Sequence, residues 1–406
     1  VAIRIVFVFL VLLALLGDAR IFLYILNRLV FGGHRDEQSP WKPLIFIVPP
    51  LLLVLTLLFW PMNRWIERLL STNLVERVAP ARIEQIDWTP ILGKIGASWL
   101  IVAAVVGGVW ILERIRANSF GEVTLTGTRT LPPEVIRLRR AHIPFASIQR
   151  LGAHNDVYDI EITKHELFID RLPEAFDGYR IAFLTDTHVA PIIRPMFYRN
   201  VVAQVGRFDP DLVLLGGDFV SFNRHIKLMA EVLLADLKAR DGVRAVLGNH
   251  DYWSKGDEVQ AAMEARGVEF VTNRSIAIRR GDAQLQLVGI DEIYRGTPDV
   301  DAAFAGVDAA HVTLGLSHHP DVIDLLGGRT LDLLVCGHTH GGQIRFPFFG
   351  AIVVPSRHEQ EYAAGFHRVG NVLMYVSRGL GSLPPLRILC RPELATFVLR
   401  RGRRTS

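Results

Sequence analysis

Long charge-free apolar runs crowd the first 115 residues, whereas beyond them short apolar runs alternate with polar clusters and helix-like stretches. Residues 43–60 contain Leu44-Ile45-Phe46-Ile47-Val48 and then an apolar run from Leu51 to Phe59. About eighteen residues without a charge suffice for most of a bilayer core at roughly 1.5 Å per residue. A second such run, residues 97–112, is closed by Glu113, Arg114 and Arg116. The N-terminal segment is interrupted by Asp18 and Arg20, and its first run, Ile5 to Leu16, is short enough for a signal peptide behind Arg4. The apolar pattern resumes at Ile21-Phe22-Leu23 without a clean small-residue cleavage site, so an uncleaved span over about residues 5–30 is the preferred reading. The alternative for these runs is a buried helix of a soluble core, which small soluble domains house with difficulty.

Three spans make a multi-pass cell-membrane protein. The loop after the second span carries Arg64, Arg68, Arg77, Arg82 and Lys94, against Arg35 and Lys42 in the preceding loop. Positive-inside bias then places the later loop in the cytoplasm and the remainder of the chain on the extracytoplasmic side. Residues 117–173 read as a connector ending in the opening strand of a domain over 174–406. Within it Val123-Thr124-Leu125 and Tyr158 to Phe168 have strand character, and Pro132 to Arg140 that of a short helix.

From residue 174 onward, apolar strands end repeatedly in polar clusters. Ile181-Ala182-Phe183-Leu184 leads into Thr185-Asp186-Thr187-His188, and Leu212-Val213-Leu214-Leu215 into Gly216-Gly217-Asp218. Val243 to Leu247 precedes Gly248-Asn249-His250-Asp251, Val312 to Leu316 precedes Ser317-His318-His319, and Leu331 to Cys336 precedes Gly337-His338-Thr339-His340. Helical patterns at 197–208, 225–240 and 258–266 separate some of these strands. Polar residues gathered at the carboxyl ends of buried strands are where α/β sheets place their sites.

The residue types point to metal chemistry. Asp186 and His188, like His338 and His340, are two apart, so in extended backbone each pair points to one side. Asp218 can bridge two cations through its two oxygens, Asn249 offers an amide oxygen, and a histidine from His318-His319 completes a second set. A lone Asp-x-His or His-x-His is more often structural than ligating; five successive clusters behind apolar strands reverse that expectation.

Composition narrows the partners. Half of the 406 residues are hydrophobic and the formal net charge is +4. The mean hydropathy of +0.26 fits bilayer segments. The arginine surplus sits in juxtamembrane loops and in the tail at Arg400, Arg401, Arg403 and Arg404, as for a protein facing an anionic bilayer. No aromatic-interleaved basic stripe accompanies it, which argues against nucleic acid. Two cysteines, Cys336 and Cys390, make no disulfide framework, and Cys336 reads as a buried strand residue.

The ordered set Asp186-x-His188, Gly217-Asp218, Gly248-Asn249-His250-Asp251, His318 and Gly337-His338-x-His340 resembles the calcineurin-like metallophosphoesterase superfamily over about residues 179–400. Gly341-Gly342-Gln343, the stretch from Tyr375 to Gly381, and Arg391-Pro392-Glu393 resemble its membrane-anchored bacterial branch, which is similar to enzymes that include hydrolases of UDP-diacylglucosamine. The resemblance implies a four-layer α/β/β/α sandwich, here preceded by N-terminal transmembrane helices. It further implies one metal on Asp186, His188, Asp218 and His340 and another on Asp218, Asn249, His318 and His338. His250 would protonate the leaving oxygen, and Asp251 would orient it. Thr187 departs from the apolar residue frequent at its position.

Such an enzyme holds two divalent ions that activate a bridging water for in-line attack on phosphorus. Mixed imidazole, carboxylate and amide ligation favours Mn, with Zn or Fe next, over Mg. The expected substrate is a phosphodiester, pyrophosphate or phosphomonoester, lipid-linked esters included because of the membrane tether. Phe346-Pro347-Phe348-Phe349 could form an apolar lip beside the site or simply a packed loop. A rival from another class is a membrane scaffold that binds phosphate or lipid without turnover; His250 beside a full ligand set argues against it. No feature sets the oligomeric state.

Overall fold

The computed structural model describes residues 154–347, 350–351 and 353–403, the strand at 123–131, and a few residues between 105 and 111. Two compact units, Val1–Ile115 and Arg116–Ser406, divide the chain. In the first, Val105, Val106, Gly108, Val109 and Ile111 are helical. The three predicted spans otherwise lie outside the described residues, as does the short helix expected at 132–140. Among the described residues no helix is long and apolar enough to cross a membrane.

The second unit is built on two large sheets, and β11 (Arg345–Phe346) and β12 (Gly350–Ala351) form a separate two-stranded ribbon. Its larger sheet has the order β1 (Val123–Leu131), β2 (Ile160–Ile169), β15 (Glu393–Arg401), β3 (Arg180–Leu184), β4 (Leu212–Leu215), β5 (Val243–Ala245) and β6 (Val268–Phe270). The smaller sheet has the order β13 (Gly365–Val369), β14 (Val372–Val376), β10 (Leu331–Cys336), β9 (Thr313–Leu316), β8 (Ala283–Gly289) and β7 (Arg274–Arg280). β1 and β2 come from the stretch read as connector, and β2 pairs with the C-terminal β15 in parallel from Glu161↔Glu393 to Ile169↔Arg401.

Period-2 alternation sorts these strands into layers. Ile181, Phe183, Leu212 and Leu214 face a core shared with Leu333 and Val335 of the smaller sheet. Their neighbours Ala182, Leu184, Val213 and Leu215 face the opposite way, against α1 (Pro195–Phe208), α2 (Ile226–Val232) and α4 (Gly256–Glu264). On the far face of the smaller sheet, Leu334 and Cys336 pack with Val322, Ile323 and Ala303, from a 3-10 turn and a short helix. The stacking is therefore helix, sheet, sheet, helix.

Helix α2 stops well short of the predicted 225–240. Leu233, Leu234 and Leu237 remain buried in the same core after the helix has ended, so the apolar pattern outruns the hydrogen-bonded structure. Cys336 is buried in β10, and both cysteines are free thiols.

Candidate metal centre

Strands β3, β4 and β5 run parallel, and their carboxyl ends lead into Asp186, Asp218 and Asn249; β9 and β10, parallel in the other sheet, lead into His318 and His338. The two sheets thus deliver ligand-type residues to one edge of the sandwich. Asp186, His188, Asp218 and His340 form one cluster, and Asp218, His318 and His338 a second. Asn249 belongs with the second, its Oδ1 lying 3.1 Å from His318 Nε2 and 3.0 Å from His338 Nδ1.

The convergence does not arise from extended backbone. Asp186, His188, Asp218, His338 and His340 all have positive φ, between 43° and 68°. Left-handed conformations are uncommon outside glycine and gather at functional sites, where surrounding structure enforces them. Here the enforcement is visible. His338 N–H donates to both Asp186 oxygens at 3.0 Å, His188 N–H to Asp218 O at 2.9 Å, and Gly381 N–H to Asp186 O at 2.6 Å. Thr187 turns away from the ligands, its hydroxyl donating to Phe219 O.

Asp218 joins the two clusters through a single oxygen. Its Oδ2 lies 3.5 Å from His188 Nε2 and 3.4 Å from His318 Nε2. Its Oδ1 instead accepts the His250 amide at 2.8 Å. A Cβ on Gly248 would sit 2.2 Å from that Oδ1, so only glycine lets the Asn249 loop come this close. Gly379, at φ +65°, packs against Asp186, where a Cβ would lie 2.6 Å from the aspartate Cβ.

Spacing and charge both suit cations. His188 Nε2 and His340 Nε2 are 3.1 Å apart, and His318 Nε2 and His338 Nδ1 3.2 Å. Ligands about 2.1 Å from one ion stand about 3.0–3.4 Å from each other. Burial lowers His188 to about 3 and holds His338 and His340 well below the usual imidazole range, leaving neutral rings with lone pairs. Burial also opposes charge on His318, yet the Asp218 carboxylate raises it to about 10, so the second cluster attracts a positive charge. Burial lifts Asp186 to about 6, partly offset by His318. Outer partners fix ring orientation: His318 Nδ1 faces Gly216 O at 2.8 Å, and His188 Nδ1 faces Ser221 Oγ at 2.8 Å.

The remaining predicted residues fall in different places. The His250 ring stands edge-on to His188, with centroids 4.7 Å apart, beside the first cluster. Asp251 is buried and accepts N–H bonds from Phe219 and Val220 on Oδ1 and from Gly248 on Oδ2. No hydrogen bond joins it to the His250 imidazole among the described residues; it ties the Asp218 loop to the Asn249 turn. His319 turns Nδ1 to the Asp321 amide and packs its ring on His338, leaving His318 to face the cluster. Phe346 is exposed, while Phe348 and Phe349 lie outside the described residues.

Sequence reasoning missed Arg387. This fully buried guanidinium donates to the carbonyls of Arg378, Gly379, Gly381 and Cys390 and reaches His340 Nδ1 at 3.4 Å. It knots the loops behind the first cluster. An arginine amid Leu386 and Ile388 carried no local sign of that role.

Two ligand clusters that share an aspartate at the edge of a two-sheet sandwich suit a metal-dependent hydrolase, and the chain's relatives make it one of phosphoesters. Residues 179–342 match the family described as calcineurin-like phosphoesterase, and the chain belongs to it. The chain is 32% identical to phosphodiesterase YaeI of Escherichia coli over 225 residues, 54% of this chain and 82% of that one. It is 29% identical to the uncharacterized metallophosphoesterase YkuE of Bacillus subtilis, over 59% of this chain and 86% of the relative. A zebrafish (Danio rerio) relative named transmembrane protein with metallophosphoesterase domain is 28% identical, over 62% of this chain and 60% of its own length.

Proposed function

We propose that this chain is a membrane-anchored, dinuclear phosphoesterase whose first ion is held by Asp186, His188, Asp218 and His340 and whose second is held by Asp218, Asn249, His318 and His338. The observation that carries the reading is Asp218 Oδ2, one carboxylate oxygen within 3.5 Å of imidazoles from both clusters. Bound ions would supply a water of lowered pKa and neutralise charge on the phosphoryl oxygens. Manganese suits the mixed donor set best, with zinc or iron next.

The protein's own part is positional. The imidazoles and the two carboxylates would hold the ions against which the phosphoryl group sits, and the glycines keep the loops close. His250, flanking the first cluster, donates a proton to the leaving oxygen as the P–O bond breaks and that oxygen keeps the electron pair; water supplies the new oxygen on phosphorus. Asp251 acts on this geometry through the backbone, by fastening the two loops together.

The membrane part of the proposal is supported by the apolar runs at 5–30, 43–60 and 97–112 and by the name of the zebrafish relative. With three spans and the positive-inside bias, the catalytic unit faces the extracytoplasmic side. A phosphodiester or pyrophosphate presented at the membrane, lipid-linked esters included, is the favoured substrate class. The test is a screen of phosphodiesters, lipid pyrophosphates and monoesters with and without Mn²⁺, on wild type and His250→Ala. Metal-dependent turnover lost in the variant is expected; turnover indifferent to metal refutes the assignment. Protease accessibility in spheroplasts tests the orientation.

A further inference from the structure

His250 and Trp253 are three residues apart on α3 (Asn249–Trp253), one helical turn, so their rings share a face. Their centroids are 4.6 Å apart, and His250 meets His188 on its other side at 4.7 Å. A ladder of rings therefore runs outward from the first ligand cluster to the indole, which is 44% exposed. This exposed indole is braced: the Arg295 guanidinium lies 5.4 Å from its ring centroid.

The brace is itself built. Glu292, fully buried, accepts the amide N–H groups of Tyr294 and Arg295. Asp291 accepts the Tyr252 hydroxyl at 2.5 Å and the Thr297 amide at 2.8 Å. Tyr252 belongs to α3, so the loop carrying Arg295 is pinned to the helix carrying both His250 and Trp253. These carboxylates fix the loop that sets the Arg295 guanidinium beside the indole.

We infer that Trp253 is a leaving-group subsite that binds a flat aromatic moiety by stacking, with Arg295 as a positioning residue that holds the indole. The inference rests on the role of His250 as proton donor, because that role makes its side of the cluster the leaving-group side. The protein then prefers esters whose leaving alcohol carries an aromatic ring over aliphatic ones of matched size and basicity.

The test uses the purified full chain with Mn²⁺ and two diesters, methyl benzyl phosphate and methyl cyclohexylmethyl phosphate, with release of each bulky alcohol followed by chromatography. Wild type should show a KM for the benzyl ester lower by about tenfold, the scale of one ring-on-ring stacking contact. Trp253→Ala should erase that difference by raising the benzyl KM alone, and Trp253→Phe should keep part of it. Equal KM values in wild type, or a Trp253→Ala variant that loses kcat on both esters alike, overturn the subsite and leave the indole a mere prop for His250. A variant altered only in binding phospholipid vesicles, with both KM values unmoved, also overturns it in favour of a membrane contact. A wild-type protein that cleaves neither ester nor bis-p-nitrophenyl phosphate overturns the hydrolase reading as well.

Discussion

Replacing His165 by phenylalanine removes an ionisable group from the middle of the protein while leaving a ring in its place. His165 sits on β2 facing the core between the sheets, opposite Phe397 on β15 and within 5.5 Å, centroid to centroid, of Phe366, Tyr375 and Phe397. It is 7% exposed, and among the described residues neither ring nitrogen has a hydrogen-bond partner. Burial lowers its pKa from 6.5 to about 4, with Glu393 opposing and Arg378 assisting. The folded state therefore binds fewer protons than the unfolded chain between those values. Stability from this group is complete above about pH 6.5 and declines as the pH falls toward 4. Between pH 7.5 and pH 4.5 the loss amounts to about 2–3 kcal/mol. Other buried histidines titrate in the same range, so the quantity to read is the difference between wild type and variant, which cancels them. Pulse proteolysis in urea at both pH values, quantifying fragments of the catalytic unit, measures it without relying on tryptophan fluorescence. His165→Phe should flatten the acid dependence by about 2–3 kcal/mol whatever its stability at pH 7.5. A variant with the wild-type dependence would show that the imidazole reaches solvent or a partner and that the argument from burial fails.

His250→Ala should keep its metal content by elemental analysis but lose about 10²–10⁴-fold in kcat. The loss should be smaller for p-nitrophenyl esters, whose leaving group needs little protonation. Gly248→Ala places a Cβ against Asp218 Oδ1. It should lower the bound metal from about two ions per chain to fewer than one, with the fold retained by circular dichroism. Glu393 is buried, accepts from Thr163 Oγ1 and the Tyr375 hydroxyl, and is held at about 2 chiefly by Arg378 working against burial. Glu393→Gln leaves Arg378 with Glu161 as its remaining carboxylate partner and should cost about 1.5–3 kcal/mol in urea unfolding at neutral pH; in wild type the Glu393 contribution is present above about pH 4.5 and fades as the pH approaches 2.

Much of the fold was legible because buried parallel strands read as apolar runs: Leu212–Leu215, unbroken, and Leu331–Cys336, broken only at Asp332, have the same bounds in sequence pattern and in structure. What stayed illegible was long-range. Nothing local in 393–401 says that this strand inserts between β2 and β3, joining the end of the chain to residues read as a connector. The hairpin of β7 and β8 was also passed over, since Arg274, Arg279 and Arg280 break its apolar alternation.

At the site, folding gathers the six ligand-type residues singled out by residue type, together with His318 of the pair that residue type left open, but not by the route expected. Two-residue spacing suggested extended strands presenting alternate side chains to a metal. The backbone instead turns left-handed at Asp186, His188, Asp218, His338 and His340, a conformation each would avoid in isolation. Five such residues cost of order 1–3 kcal/mol each, more than any single hydrogen bond at the site returns. They persist because Asp251, Arg387 and the apposed glycines lock the loops from behind, and those residues act through backbone amides and carbonyls, which residue type alone does not reveal. Ligand chemistry is written in side chains and so is readable along the chain. The strain that aims the ligands is held by bonds to main-chain groups of segments far apart in sequence, such as the His338 amide donating to the Asp186 carboxylate, and becomes visible only in the folded protein.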